Sequence, residues 1–112
     1  MIVYFKNNSL AKTLNSQKET VRTYGPENGK KIMQRLQELR AFENLSQVPT
    51  TPPARRHELT GNKKGTFAVD VKQPFRLLFK PAHDPVPLKD DGGIDLEKVT
   101  EIVVTDITNY HD

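Results

Sequence analysis

The chain of 112 residues contains no cysteine. Disulfide frameworks, zinc–cysteine sites, iron–sulfur clusters and thiol nucleophiles are therefore excluded. Its apolar runs are short, whereas a bilayer-spanning helix needs about 20 apolar residues. The first residues, Met1 to Lys6, also lack the basic segment and apolar core of a signal peptide. We therefore expect one domain, 1–112, that is soluble, cytoplasmic and without membrane contact.

The net charge of +3 conceals an uneven distribution along the chain. Residues 1–80 carry 15 basic and 6 acidic side chains, a net charge of +9. Residues 81–112 carry 2 basic and 8 acidic side chains, a net charge of −6. A basic body of this kind suits a polyanionic partner such as nucleic acid, and solvated charged faces are the alternative explanation.

The N-terminal half has the pattern of one strand followed by helices. Residues 2–6 are β-branched and aromatic types, which predicts a short opening strand. Ser16-Gln17-Lys18-Glu19 has the form of a capping box, and Gly25-Pro26 is a break between helices. From Glu27 onwards one apolar stripe with helical spacing follows, formed by Ile32, Met33, Leu36, Leu39 and Phe42.

The C-terminal half has the period of two that is typical of strands. Residues 67–71 and 75–79 alternate apolar and polar types, which predicts two antiparallel strands joined by a short turn. Residues 81–98 contain three prolines and predict a long irregular excursion, and 101–108 predict a last strand. The order β-α-α-β-β-β indicates an α+β fold, with two N-terminal helices packed on one face of a small antiparallel sheet.

The densest cluster of functional groups lies between Arg55 and Gly65. Two glycines, Gly61 and Gly65, predict a tight loop from which Lys63 and Lys64 project, beside the imidazole of His57. The loop is either a phosphate cradle next to a titratable group or a polar hairpin with solvated lysines.

Arg76 stands between two apolar residues of a predicted strand, where it either pairs with a carboxylate such as Asp70 or faces a ligand. Its planar, permanently charged guanidinium suits a phosphate or the charge of a phosphoryl transition state. Tyr110 and His111 follow the last strand. They are either a plain tail or, with His57, groups for acid–base chemistry at neutral pH. No histidine spacing typical of metal sites is present, so we expect no metal.

Three blocks of sequence together resemble a known family. They are the segment from Arg56 to Phe67, the segment Pro74-Phe75-Arg76-Leu77-Leu78-Phe79, and Tyr110-His111. In this order and spacing the chain resembles toxins of the RelE/ParE superfamily, in particular the HigB-like plasmid maintenance killer branch. The resemblance runs over essentially the whole chain.

The resemblance implies a RelE-like α+β toxin of a type II toxin–antitoxin system, encoded beside a helix-turn-helix, HigA-like antitoxin. Such toxins are ribosome-dependent endoribonucleases, or mRNA interferases, which cut messenger RNA in the decoding site of the small subunit. In that family the 2′-hydroxyl of the RNA attacks the adjacent phosphate, with no metal or cofactor. The enzyme assists proton transfer and neutralises charge on the phosphate.

The matching positions imply roles for individual residues. The resemblance makes His57, Arg76, Tyr110 and His111 the catalytic candidates. The basic residues of the loop and its flank are the RNA-binding candidates: Arg55, Arg56, Lys63 and Lys64. Several relatives carry aspartate before the Tyr-His pair, where this chain has Asn109. An asparagine cannot titrate or hold an imidazolium by its charge, so the orientation of His111 and the cutting rate do not carry over from those relatives.

Two other functions are compatible with the sequence. One is a ParE-like poison of DNA gyrase, against which the combination of His57 with Tyr110 and His111 argues. The other is a basic nucleic-acid-binding module without catalysis. For the antitoxin, the helix face with Lys30, Lys31 and Arg35 is one surface on which an acidic segment could lie.

Overall fold

Three helices and five strands make up the computed structural model, which describes residues 1–109. The elements follow in the order β1 (Ile2–Phe5), α1 (Asn8–Leu14), α2 (Gln17–Tyr24), α3 (Pro26–Ala41), β2 (His57–Glu58), β3 (Phe67–Asp70), β4 (Arg76–Pro81) and β5 (Glu101–Thr108). The α+β class and the N-terminal position of the helices are confirmed.

The helical region contains one helix more than the two predicted. The Ser16 hydroxyl accepts a hydrogen bond from the Glu19 backbone N–H at 3.1 Å and begins α2, so the residues before Gly25 form two short helices. Gly25 has a φ of 87° and ends α2, and Pro26 is the first residue of α3. Proline suits this position because its missing N–H has no partner in a first turn.

The five strands form one sheet in the order β1-β5-β4-β3-β2. The pairings β2–β3, β3–β4 and β4–β5 are antiparallel, whereas β1 pairs with β5 in parallel. The prediction of a wholly antiparallel sheet is therefore wrong, and β2 is a strand that was not predicted. Side-chain alternation identifies strands, but it does not give the direction in which the first and last strands meet.

The helices cover one face of the sheet, and the hydrophobic core lies between them. Its members come from both layers: Leu14, Ile32, Leu36, Leu39, Phe67, Val69, Leu77, Phe79, Ile102 and Val104. The rings of Phe67 and Phe79 stack with their centroids 5.9 Å apart. Alternation along the strands sends the next side chains to the opposite face. This helix-free side is called the open face below.

The acidic excursion also packs on the helical side. Ile94 and Leu96 lie against the core, and the Leu45 N–H donates to the Val99 carbonyl at 3.0 Å. A single bridge between Leu88 and Ile94 folds the excursion back on itself. Among residues 1–109, no helix is long and apolar enough to cross a membrane.

Candidate nucleic-acid interface on the open face

The open face carries a cleft of about 440 Å³ that is lined by three lysines. Lys6 follows β1, Lys63 belongs to the glycine loop and Lys80 lies on β4. Thr66, Thr105 and Asp106 add polar groups to the wall, and Leu78 and Val103 complete it. Within residues 1–109 its wall holds three cationic groups and one carboxylate, a net positive charge that suits the phosphates of a polyanion. We call it the basic cleft.

The glycine loop positions Lys63 at the cleft. Residues Gly61–Lys63 form a 3₁₀ turn, with φ values of 64° at Gly61 and 93° at Gly65. The turn is closed by hydrogen bonds from the Leu59 N–H to the Thr66 carbonyl at 2.8 Å and from the Gly65 N–H to a Glu58 carboxylate oxygen at 3.0 Å. Positive φ favours glycine at both positions. The tight loop expected from the sequence is confirmed, and Lys64 at its end is exposed.

A β-bulge brings two consecutive polar side chains to the cleft. The register of β4 against β5 shifts between Leu78, which pairs with Asp106, and Phe79, which pairs with Val104. Val104 and Ile107 both remain in the core, while Thr105 and Asp106 both line the cleft. In a regular strand one of these two side chains would point into the core, so the bulge is what presents both of them.

Arg76 lies beside a buried carboxylate at one end of the open face. Asp70 and Arg76 are paired across β3 and β4, and Arg76 Nε lies 3.5 Å from Asp70 Oδ1. Asp70 is 5% exposed, and its other oxygen lies 3.3 Å from a terminal nitrogen of Arg55 and accepts a hydrogen bond from Gln73 at 3.0 Å. Of the two alternatives left open for Arg76, the ion pair with Asp70 is present.

His57 is placed on the open face by its register. It pairs with Ala68, which pairs with Leu78 of β4, so the three residues form one row across the sheet. The His57 Nδ1 lies 3.2 Å from the Arg55 carbonyl oxygen. His57 and Arg76 are two strand spacings apart, about 10 Å, and one two-residue step along β4. By this register the side chains of His57 and Arg76 lie on the same side of the sheet as the basic cleft, but neither residue lines the cleft. His57 also lines a separate cavity with Phe67 and with Ile94 of the excursion.

Two arginines from the sequence-based predictions have structural roles. The Arg56 guanidinium donates to the Leu45 carbonyl, and burial lowers the pKa of Arg56. Arg35 is buried: its Nε donates to the Asp70 carbonyl at 2.9 Å, and a terminal nitrogen lies 3.2 Å from Glu38. Arg35 was therefore wrongly assigned to the docking surface expected on α3, because its side chain is buried. Lys30 and Lys31 of that surface are exposed.

Two of the predicted site residues, Tyr110 and His111, lie outside the described residues. Thr108, the last residue of β5, pairs with Arg76, and Asn109 is exposed.

Sequence reasoning missed three residues that the fold brings to the open face. Lys6, Lys80 and Asp106 stand far apart in the sequence or within ordinary strand patterns, so no local motif marks them. A signal was available for Lys80, because it shares the polar face of its strand with Arg76. The adjacent Thr105 and Asp106 interrupt the alternation of the last strand, which is the usual trace of a bulge.

In residues 1–109, no three histidine, aspartate or glutamate side chains converge as a metal site would require. No family model matches the chain, and a search of characterised proteins finds no significant match.

Proposed function

We propose that this protein is a ribosome-dependent endoribonuclease, the toxin of a type II toxin–antitoxin pair, which acts in the cytoplasm and is neutralised by a HigA-like antitoxin. The observation that supports the proposal best is the composition of the open face. The basic cleft, His57 and Arg76 are on the side of the sheet that the helices leave uncovered.

The chemistry of this face fits cleavage by the RNA itself. The 2′-oxygen forms a bond to the adjacent phosphorus while the bond from phosphorus to the 5′-oxygen breaks. The products are a cyclic phosphate and a 5′-hydroxyl. One group must accept the 2′-hydroxyl proton and another must protonate the leaving oxygen. His57 is our candidate for one of these transfers, and His111 is our candidate for the other.

The cations have a separate task in the same step. Negative charge accumulates on the phosphate oxygens in the transition state, and preorganised cations stabilise it. Arg76 is already oriented by Asp70, so its position costs little reorganisation when RNA arrives. Lys63 and Lys80 line the cleft and hold the flanking backbone.

Primer extension on messenger RNA from translating ribosomes tests the proposal. We expect codon-positioned cuts with the wild-type chain and their loss with either His57→Ala or His111→Ala. Glu97→Gln is the control, because Glu97 is exposed in the excursion and outside the basic cleft. Undiminished cutting by both histidine variants would refute the site assignment, and no cutting by the wild-type chain would refute the enzyme.

One observation favours a second function, a nucleic-acid-binding module without catalysis. Arg76 is 14% exposed in its side chain and pairs with a buried carboxylate, an arrangement that is also found in purely structural ion pairs. In that case the chain binds single-stranded RNA with a steep salt dependence, and the RNA is recovered intact.

A further inference from the structure

A second cavity opens directly beside the basic cleft. It has a volume of about 400 Å³ and lies between the end of β1, the two short helices and β5. Its wall and that of the basic cleft share Lys6, Thr105 and Asp106, so the two cavities adjoin at these residues, and we call them together the groove. The residues that give the second cavity its chemistry are Lys6, Asn7, Ser9, Thr23, Tyr24 and Asp106. We call it the side cavity.

The side cavity differs from the basic cleft in charge. Lys6, at the boundary, is its one cationic side chain, against three in the basic cleft. Its remaining wall offers an aromatic ring, hydroxyl and amide groups and one carboxylate. A site of this size and composition suits a flat, neutral, polar group better than a phosphate. Single-stranded RNA presents both kinds of group in alternation, and its bases are commonly bound beside aromatic side chains.

Asp106 is the group that confers selectivity on the side cavity. The bulge in β5 presents its side chain at the junction of the two cavities, and the side chain is exposed. Asp106 and Tyr24 line this cavity together, and burial of the Tyr24 phenol, followed by the charge of Asp106, raises the pKa of Tyr24. An ionised carboxylate accepts hydrogen bonds and donates none, so it favours a base that presents an amino group.

We propose that the side cavity binds one base of a single-stranded RNA whose backbone lies in the basic cleft, and that Asp106 selects a base with an exocyclic amino group over uracil. This inference rests on the RNA substrate of the proposed function. It adds a specificity residue that lies apart from the groups assigned to the cutting step.

Binding of short oligodeoxynucleotides tests the inference, because they lack the 2′-hydroxyl and cannot be cut by its attack. Oligo(dC) and oligo(dU) differ only at the base edge, in the amino or oxo group at C4 and in N3, which accepts in cytosine and donates in uracil. At neutral pH and moderate salt we expect the full-length wild-type chain to bind oligo(dC) about tenfold more tightly, the scale of one hydrogen bond to a charged group. An oligomer of N4,N4-dimethylcytosine, which has no amino donor, should bind like oligo(dU).

Asp106→Asn is the decisive variant, because its amide both donates and accepts and its loss of charge strengthens binding to either oligomer. The readout is therefore the ratio of the two affinities, which should fall to nearly one. Glu97→Gln removes a charge elsewhere and should leave the ratio at its wild-type value. Lys6→Gln should weaken binding of both oligomers equally.

The possible outcomes separate the two proposals. An unchanged ratio in Asp106→Asn, or equal affinities in the wild-type chain, overturns the side cavity as a base site even if ribosomal cutting is observed. A ratio that depends on Asp106 supports it even if the wild-type chain cuts no messenger RNA. A preference for a protein partner at this groove, with no oligonucleotide binding, overturns it and the RNA substrate together.

Discussion

Replacing Asp70 by asparagine tests whether the buried ion pair stabilises the fold. The carboxylate is 5% exposed and lies 3.5 Å from Arg76 Nε and 3.3 Å from the Arg55 guanidinium. Asparagine keeps the shape of the side chain and removes its charge. Arg55 is half exposed and can be rehydrated, whereas the Arg76 side chain, 14% exposed, is left facing a neutral amide.

The expected loss follows from this difference in burial. Removing the charge of one member of a buried ion pair costs about 3–5 kcal/mol, and because Arg76 keeps some contact with water we expect about 3 kcal/mol. The losses of unfolding free energy in Asp70→Asn and Arg76→Gln should not add up in the double variant, because both remove the same interaction. A double-mutant cycle with Arg76→Gln should give a coupling free energy of about 2 kcal/mol between the two positions.

Urea unfolding followed by circular dichroism measures this loss. For a chain of this size, with a slope of about 1.5 kcal/mol per molar, the midpoint should fall by about 2 M. Arg55→Ala is the matched control, because it removes the exposed partner of the same carboxylate and should cost about 1 kcal/mol or less. If Asp70→Asn costs no more than Arg55→Ala, or if the coupling free energy is near zero, the ion pair does not stabilise the fold and this reasoning fails.

Three further outcomes follow from the packing, the titrating groups and the cleft. Gly29→Ala places a Cβ 3.0 Å from the Val21 Cα, a backbone atom that cannot move aside, so the melting temperature should fall by about 5–15 °C. The control Ala41→Gly, at the exposed end of α3, should lower the melting temperature by less. The Tyr4 hydroxyl donates a hydrogen bond to Glu101 at 2.8 Å, which raises the pKa of Tyr4. The contribution of this hydrogen bond to stability is therefore complete at neutral pH and is lost as the pH rises through the raised pKa. In an ultraviolet titration Glu101→Gln should shift one tyrosine transition to lower pH, and an unchanged curve would contradict this. Lys80→Ala should weaken binding to RNA of any sequence and make the slope of log K against log salt less steep by about one. The control Lys18→Ala, at an exposed position of α2, should change neither quantity.

The sequence predicted local structure well and long-range structure in part. Periodicity identified the stripe of α3 and the buried faces of Leu77 and Phe79, because both depend on neighbouring residues. Phe75, expected in the same strand, lies before β4 and is 37% exposed, since the turn after Pro74 extends one residue further. The parallel pairing of β1 was not predictable in the same way, because it depends on where the helical layer returns the chain.

In the candidate site, too, the sequence predicted the residues that a local motif marks and missed those that only strand pairing brings together. His57, Lys63 and Arg76 were found from local chemistry, and the fold places them on one face. The partnership of Arg76 with Asp70 was left open, because alternation places both residues on a polar face without giving the register. Lys6, Lys80 and Asp106 meet only after β1, β4 and β5 pair, and the bulge that presents Asp106 is a property of the register between two strands.

The place of β5 in the sheet has a consequence for how the protein is made. β5 comes last in chain order among the five strands, yet it lies between β1 and β4, and within residues 1–109 β1 has no other neighbour in the sheet. Until Glu101–Thr108 leaves the ribosome, the opening strand has nothing to pair with, and the edge of β4 stays uncovered. Unpaired edges of this kind are vulnerable to aggregation, and contacts between distant segments slow folding. The nascent chain therefore completes its sheet, its basic cleft and the wall that carries Asp106 in one late event after β5 emerges.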